Sequence, residues 1–129
     1  MATQKNGKSV LAIDDDPMAR DIYRSILEGA GFDFASAPDG KAGLALFRAR
    51  KFDCVILDIY MPGLSGLDLI EELDPEKSKI PIIAVSGASG DKRTGPLHLA
   101  TTLGAARTFS KDFEHEELVQ AVRELTGAK

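Results

Sequence analysis

One cysteine, Cys54, occurs in the 129 residues, so no disulfide can close within the chain. Long apolar runs are missing as well: none approaches the roughly 18 residues that cross a bilayer. The opening segment Met1 to Lys8 is polar where a secretory leader would be apolar. These absences predict a soluble cytoplasmic protein. Runs of five or more like charges are also lacking, and the net charge is -4 at pH 7. That balance offers no electrostatic footprint for nucleic acid or an anionic membrane, so neither is expected as a direct partner. No residue pattern recurs at a fixed spacing, which excludes a repeat protein. The glycine-rich stretch 87–95 lacks G-x-x-x-x-G-K-[ST], which excludes a nucleotide-binding phosphate loop.

What is present is a hydrophobic content of 43%, enough for a core without staples in a chain the size of one domain. The reading is a single domain over 1–129, with 1–7 as a flexible tail. Strand-like segments begin near residues 9, 32, 53, 81 and 106, and the stretches between them carry helical apolar spacing. This alternation predicts βαβ units. A first helix starts at Pro17 and should bury Ala19, Ile22, Tyr23, Ile26 and Ala30 before Gly31 stops it. The second, about 41–50, presents Ala42, Leu46 and Ala49; the third, about 66–73, presents Leu67, Ile70 and Leu73 and ends at Asp74 and Pro75. A fourth is expected near 96–103, and a fifth carries Leu118, Ala121, Val122 and Leu125 at i, i+3, i+4 and i+7.

Segments 10–13, 54–57 and 82–85 are apolar on both faces and belong inside a parallel sheet, whereas 32–36 alternates and 106–110 is mixed. The second and fifth strands are therefore edges. An α/β fold follows: a doubly wound, five-stranded parallel sheet in the order 2-1-3-4-5 with helices on both faces, whose crevice opens at the C-terminal ends of strands one and three.

Three carboxylates, Asp14, Asp15 and Asp58, and one lysine, Lys111, converge on that crevice. Asp58 closes the apolar run Cys54, Val55, Ile56, Leu57; Asp14, Asp15 and Asp16 follow Val10 to Ile13; Lys111 follows Arg107 to Ser110. Alone, the acidic triplet would be a solvated helix start and Lys111 a surface lysine. Together they form a pocket whose carboxylates repel one another unless a cation neutralises them. Mg²⁺, with Mn²⁺ as the alternative, suits such an oxygen-rich site and keeps positions for phosphate oxygens. Lys111 can pair with Asp58 or with a phosphoryl oxygen, and Ser86, at the end of Ile82 to Val85, adds a hydroxyl. Transfer of a phosphoryl group onto Asp58 is the chemistry these parts suit. Cys54 reads as a small core residue, and His98 and His115 as surface or boundary residues.

With Asp14 and Asp15, the stretch Asp58 to Gly66 containing Met61 and Pro62, Ser86 and Lys111 all in order, the sequence resembles the receiver domains of two-component response regulators, and CheY-like single-domain members in particular. The likeness covers essentially the whole length and implies the flavodoxin- and CheY-like sheet. It further implies that Asp58 is the phospho-acceptor, that Asp15, Asp58 and the Tyr60 carbonyl ligate Mg²⁺, and that Asp14 acts through metal-bound water. Ser86 and Lys111 would hold phosphoryl oxygens. The chain departs from the family in three places. Asp112 replaces the proline that usually follows the lysine in a cis peptide, so a trans Lys111–Asp112 bond is expected. Thr108 stands where a switch aromatic is common, with Phe109 beside it. Gly87 and Ala88 follow Ser86 and open a loop richer in glycine than usual.

The implied function is a phosphoryl-accepting signalling receiver. A histidine kinase or histidine phosphotransfer protein donates to Asp58, and the new charge shifts a conformational equilibrium that a downstream protein reads. It is not an enzyme with a separate substrate. The 18 residues after Lys111 are consumed by the last helix, so output is expected through a protein partner or phosphorelay. Two other readings stand beside it. A haloacid-dehalogenase-like phosphatase would use the D-x-D within Asp14 to Asp16, but Met18 stands where Thr or Val is usual. A receiver-shaped binding module that is never phosphorylated is suggested by Thr108 and Asp112.

Overall fold

The computed structural model describes residues 5–60, 66–87 and 96–128. Its strands are β1 (Ser9–Ile13), β2 (Asp33–Ala37), β3 (Cys54–Asp58), β4 (Ile82–Ser86) and β5 (Arg107–Ser110). All pair in parallel, in the order β2-β1-β3-β4-β5. The helices are α1 (Pro17–Gly29), α2 (Gly40–Ala49), α3 (Gly66–Leu73), the single turn α4 (Pro75–Ser78), α5 (Pro96–Thr102) and α6 (His115–Thr126). Among the described residues, no helix is long and apolar enough to cross a membrane.

The period of two in a strand divides the core. Leu11, Ile13, Val55, Leu57, Ile82 and Ala84 face one side, against Leu69, Ile70 and Leu73 of α3 and Ala100 of α5. Val10, Ala12, Cys54, Ile56, Ile83 and Val85 face the other, against Tyr23 and Leu27 of α1 and Leu118, Ala121 and Val122 of α6. Both faces of β1, β3 and β4 are thus covered, which is why those strands read as unbroken apolar runs. Cys54 lies fully buried in the second layer, and burial first, then the Asp53 charge, pushes its thiol up to about 12.

Helix faces differ from the sequence reading where two apolar residues are adjacent. In α1 the buried pair is Tyr23 and Leu27, while Ile22 is 46% exposed. Neighbours on a helix point about 100° apart, so Ile22 and Tyr23 cannot both sit at the centre of one stripe, and it is Tyr23 and Leu27 that join the core layer with Val10 and Phe32. In α2 the buried positions are Gly40 and Gly43, whereas Ala49 is exposed. A Cβ on Gly43 would stand 2.5 Å from Ile13 Cδ1, so the absent side chain is what lets α2 lie against β1. The turn α4 follows Asp74, whose left-handed backbone (φ 48°) redirects the chain.

Gly66 opens α3 directly behind the end of β3. Its N–H donates to the Ile59 carbonyl at 3.0 Å, and a Cβ there would lie 2.5 Å from Ile59 Cα and 2.6 Å from the Asp58 carbonyl oxygen. Both obstacles are backbone and cannot swing aside. Gly66→Ala is therefore expected to cost about 1–3 kcal/mol of stability through overpacking. Gly87→Ala, whose nearest obstacle is the flexible Lys111 side chain at 3.6 Å, should cost much less. Urea unfolding of the two variants compares them directly, and equal midpoints would refute the close approach at Gly66.

Candidate functional site

The site is assembled by strand register. β1 ends at Ile13 opposite Leu57, so Asp14 and Asp58 leave the sheet side by side, and β4 pairs with β3 so that Ser86 ends one place beyond. β5 pairs Ser110 with Ser86, and the Lys111 N–H extends that ladder to the Ser86 carbonyl at 3.1 Å. Parallel pairing with the strand neighbours in step thus brings four chain-distant segments to one rim.

Asp14 is wholly buried. Its Oδ1 accepts from the Asp16 N–H at 2.9 Å, and its carbonyl accepts from the Arg20 guanidinium at 2.6 Å. Asp16 in turn caps α1, its carboxylate accepting from the Met18 N–H at 3.0 Å. Asp58 is 3% exposed; its Oδ1 accepts from the Tyr60 N–H at 3.0 Å and its Oδ2 accepts from Lys111 Nζ at 3.3 Å. The same ammonium stands 3.2 Å from Asp14 Oδ2. One carboxylate oxygen from each of Asp14, Asp15 and Asp58 lies within 4.8 Å of the others, with Asp15 exposed at the mouth.

The electrostatics follow from that crowding. Burial first, then the Asp14 charge, pushes the Asp58 carboxyl up to about 6, against the pull of the Tyr60 N–H and Lys111. Burial pulls the Lys111 ammonium down, but the Asp14 and Asp58 charges more than reverse this and leave it raised. Burial and the charges of Asp14, Asp58 and Asp16 keep the Tyr23 phenol protonated far above its ordinary range.

Among the described residues, no donor meets the buried Asp14 Oδ2 in hydrogen-bonding geometry; the lysine contact is an ion pair at distance only. Three clustered carboxylates with one such oxygen unsatisfied form an all-oxygen donor set, and it fits a hard divalent cation.

The structure therefore brings Asp14, Asp15, Asp58 and Lys111 together and sets Ser86, buried, one ladder step away. Tyr60 meets Asp58 through its N–H, and its ring is exposed. Met61, Pro62 and most of the glycine-rich loop, 88–95, lie outside the described residues. His98 and His115 are exposed. The Lys111–Asp112 peptide is trans. Sequence reasoning missed Arg20, since an arginine on a helix gives no sign of which carbonyl it reaches. It also missed the aromatic stack of Tyr23 on Phe113, with centroids 6.2 Å apart and planes 6° from parallel.

Comparisons with known proteins agree with this geometry. The family model described as the response regulator receiver domain matches residues 10–123. The transcriptional regulatory protein FixJ of Bradyrhizobium diazoefficiens is 34% identical over 114 residues, covering 88% of this chain and 54% of FixJ. The DNA-binding response regulator MtrA of Mycolicibacterium smegmatis is 33% identical over 114 residues, covering 88% of this chain and 48% of MtrA. Among solved structures, the receiver domain of Francisella response regulator 1452 superposes with a TM-score of 0.84 at 27% identity, over 94% of this chain and 98% of that one. The response regulator TrrA of Thermotoga maritima, in complex with Mg²⁺-BeF, gives 0.79 at 31% identity, over 92% and 98%.

The chain spans about half the length of the curated relatives it matches. This overturns one expectation, that nucleic acid is not among the protein's direct partners. Net charge and charge runs describe only the surface of the matched segment, and relatives of twice that length are transcriptional and DNA-binding regulators.

The raised Asp58 carboxyl fixes the sign of a pH effect. Between its ordinary value of 3.8 and about 6, the folded protein holds a proton that the unfolded chain has released, so stability falls as pH rises through that window. The raised Lys111 contributes stability that is lost only on the alkaline side of its ordinary 10.5. In chelator, Asp58→Asn is thus expected to be more stable than the parent near about pH 8, by on the order of 1 kcal/mol after solvent screening and the loss of one Lys111 partner. The gap should close below about pH 4, where both carry a neutral side chain. Thermal unfolding across pH measures it, and coincident curves at alkaline pH would refute the strained carboxylate.

Proposed function

The chain belongs to the response regulator receiver domain family, and from that premise we propose that Asp58 accepts a phosphoryl group from a histidine kinase or histidine phosphotransfer protein. The observation that carries the proposal is the convergence of the buried Asp58 and Asp14 carboxylates on Lys111 Nζ, at 3.3 and 3.2 Å, with Asp15 beside them. A carboxylate held up to about 6 is still mostly ionised at neutral pH and so remains a nucleophile. An Asp58 oxygen attacks phosphorus, the N–P bond of the donor breaks, and its electron pair leaves with the imidazole. The product is an aspartyl phosphate.

Asp14, Asp15 and Asp58, with the Tyr60 carbonyl, would hold Mg²⁺ or Mn²⁺, which supplies charge neutralisation for the phosphoryl oxygens. The remaining work falls to this chain's own groups. Lys111 leaves its two carboxylates to pair with a phosphoryl oxygen, and Ser86 offers its hydroxyl to another. Residues 1–129 act as one receiver unit, and the doubly charged group at Asp58 biases an equilibrium that the downstream element reads. That element is a protein or a partner domain, including one that binds nucleic acid as in the relatives named for it.

Acetyl phosphate with Mg²⁺ should place one phosphoryl group on the peptide containing Asp58, detected by mass spectrometry. Excess chelator or Asp58→Asn should abolish the label. Labelling undiminished in chelator, or found on Asp14, would sink the proposal. Ser86→Ala is expected to accept phosphate at Asp58 yet transmit weakly, and Thr108→Ala to change little. Hydrogen exchange with and without a beryllofluoride mimic reads this. Protection changes that survive Ser86→Ala unaltered would remove the hydroxyl from the switch.

A further inference from the structure

Asp14 lies one residue past the end of β1, where the ladder runs out. Its N–H still donates to the Ala37 carbonyl at 3.1 Å, but Ala37 is the last residue of β2, and the chain there leaves to open α2 at Gly40. The Asp14 carbonyl therefore needs a donor from elsewhere, because the residue is wholly buried. Arg20 supplies it, with Nη1 at 2.6 Å from the carbonyl oxygen. Arg20 lies in the first turn of α1, and its own N–H donates to the Asp16 carbonyl at 3.1 Å. Among the described residues no carboxylate pairs with this guanidinium, although an acidic triplet precedes it by only a few positions. Its partner is a peptide group.

That peptide group joins Asp14 to Asp15. It is planar, so a bond that fixes its oxygen also fixes the direction in which the chain leaves Asp14 and enters Asp15. Both residues belong to the carboxylate cluster with Asp58. Asp14 has other ties, from the Asp16 N–H and Lys111. Among the described residues the Asp15 side chain has neither a hydrogen bond nor an ion pair, so its backbone alone places it. We propose that Arg20 is a positioning residue for the divalent ion, setting the Asp14–Asp15 peptide so that both carboxylates serve one cation. The inference rests on the reading above, in which Asp14, Asp15 and Asp58 hold Mg²⁺. The guanidinium's two properties act in opposite directions on the site. As a charge it repels Mg²⁺, and as a donor it orders the residues that bind it.

The sign of the change on removing Arg20 separates them. Calorimetric titration of the full chain with Mg²⁺ should give a Kd roughly 10-fold higher in Arg20→Ala, as losing a group behind metal ligands typically does. Arg20→Met keeps the apolar stem and loses the donor, so it should show the same loss even if alanine disturbs the helix. Arg20→Lys should recover most of the affinity, because the carbonyl takes a single bond and not a planar fork. In phosphorylation by acetyl phosphate, the Mg²⁺ concentration giving half the limiting rate should rise by the same factor, with the limiting rate that of the parent. Equal or tighter Mg²⁺ binding in the alanine and methionine variants would overturn the assignment, the tighter result marking the guanidinium as a charge alone. A lysine no better than alanine, or a limiting rate that falls while Kd holds, would overturn it too. Failure of Mg²⁺ to bind the parent would instead overturn the metal reading beneath it.

Discussion

Repulsion among carboxylates gathered in a buried rim is the constraint from which the rest of this molecule follows. Asp14 and Asp58 are withdrawn from water at adjacent strand ends, and one ammonium is shared between them. Each device nearby serves to hold that arrangement: the Asp16 and Tyr60 N–H groups aimed at carboxylate oxygens, the Arg20 guanidinium on the Asp14 carbonyl, and a lysine brought in from 53 residues away. A site this unfavourable when empty has much to gain from positive charge.

The sheet makes such crowding affordable to the fold. Order reversal at β1 puts the first and third strands side by side with helices on both faces, so two apolar layers stabilise what the polar rim opposes. Close approaches at Gly43 and Gly66 seat α2 and α3 against β1 and the end of β3. The core and the carboxylate rim are built by the same two strands, β1 and β3, each buried for four positions and then ending in acid.

Most of this was legible before any coordinate. The buried strands announced themselves by composition, because a strand covered on both faces must be apolar at every position, and edge strands need not be. Asp58, Asp14, Asp15 and Lys111 could be assigned to one rim because parallel order forces strand ends together. What escaped was set by contact and not by pattern. Which of the adjacent Ile22 and Tyr23 turned inward was decided by the layer that Tyr23 and Leu27 join with Val10 and Phe32. The one-turn α4 is too short to carry a period. Arg20 and the Tyr23–Phe113 stack join residues whose partners no spacing rule identifies. Charge composition misled in another way, by describing one segment's surface where its relatives extend well beyond it.

Cys54 has a use that its chemistry conceals. It stands beside Val10 in the middle of the sheet, fully buried, with a thiol pushed up to about 12, so neither access nor ionisation favours attack while α1 and α6 stay packed on that face. A thiol reagent reaches it when that layer opens. With no other cysteine in the chain, the pace of its modification is a clock for opening of the core beneath α1 and α6, and it needs no engineered probe. Run with the rim empty, metal-loaded or carrying a phosphate mimic, that clock would tell how far relief of the carboxylate crowding travels into the body of the protein.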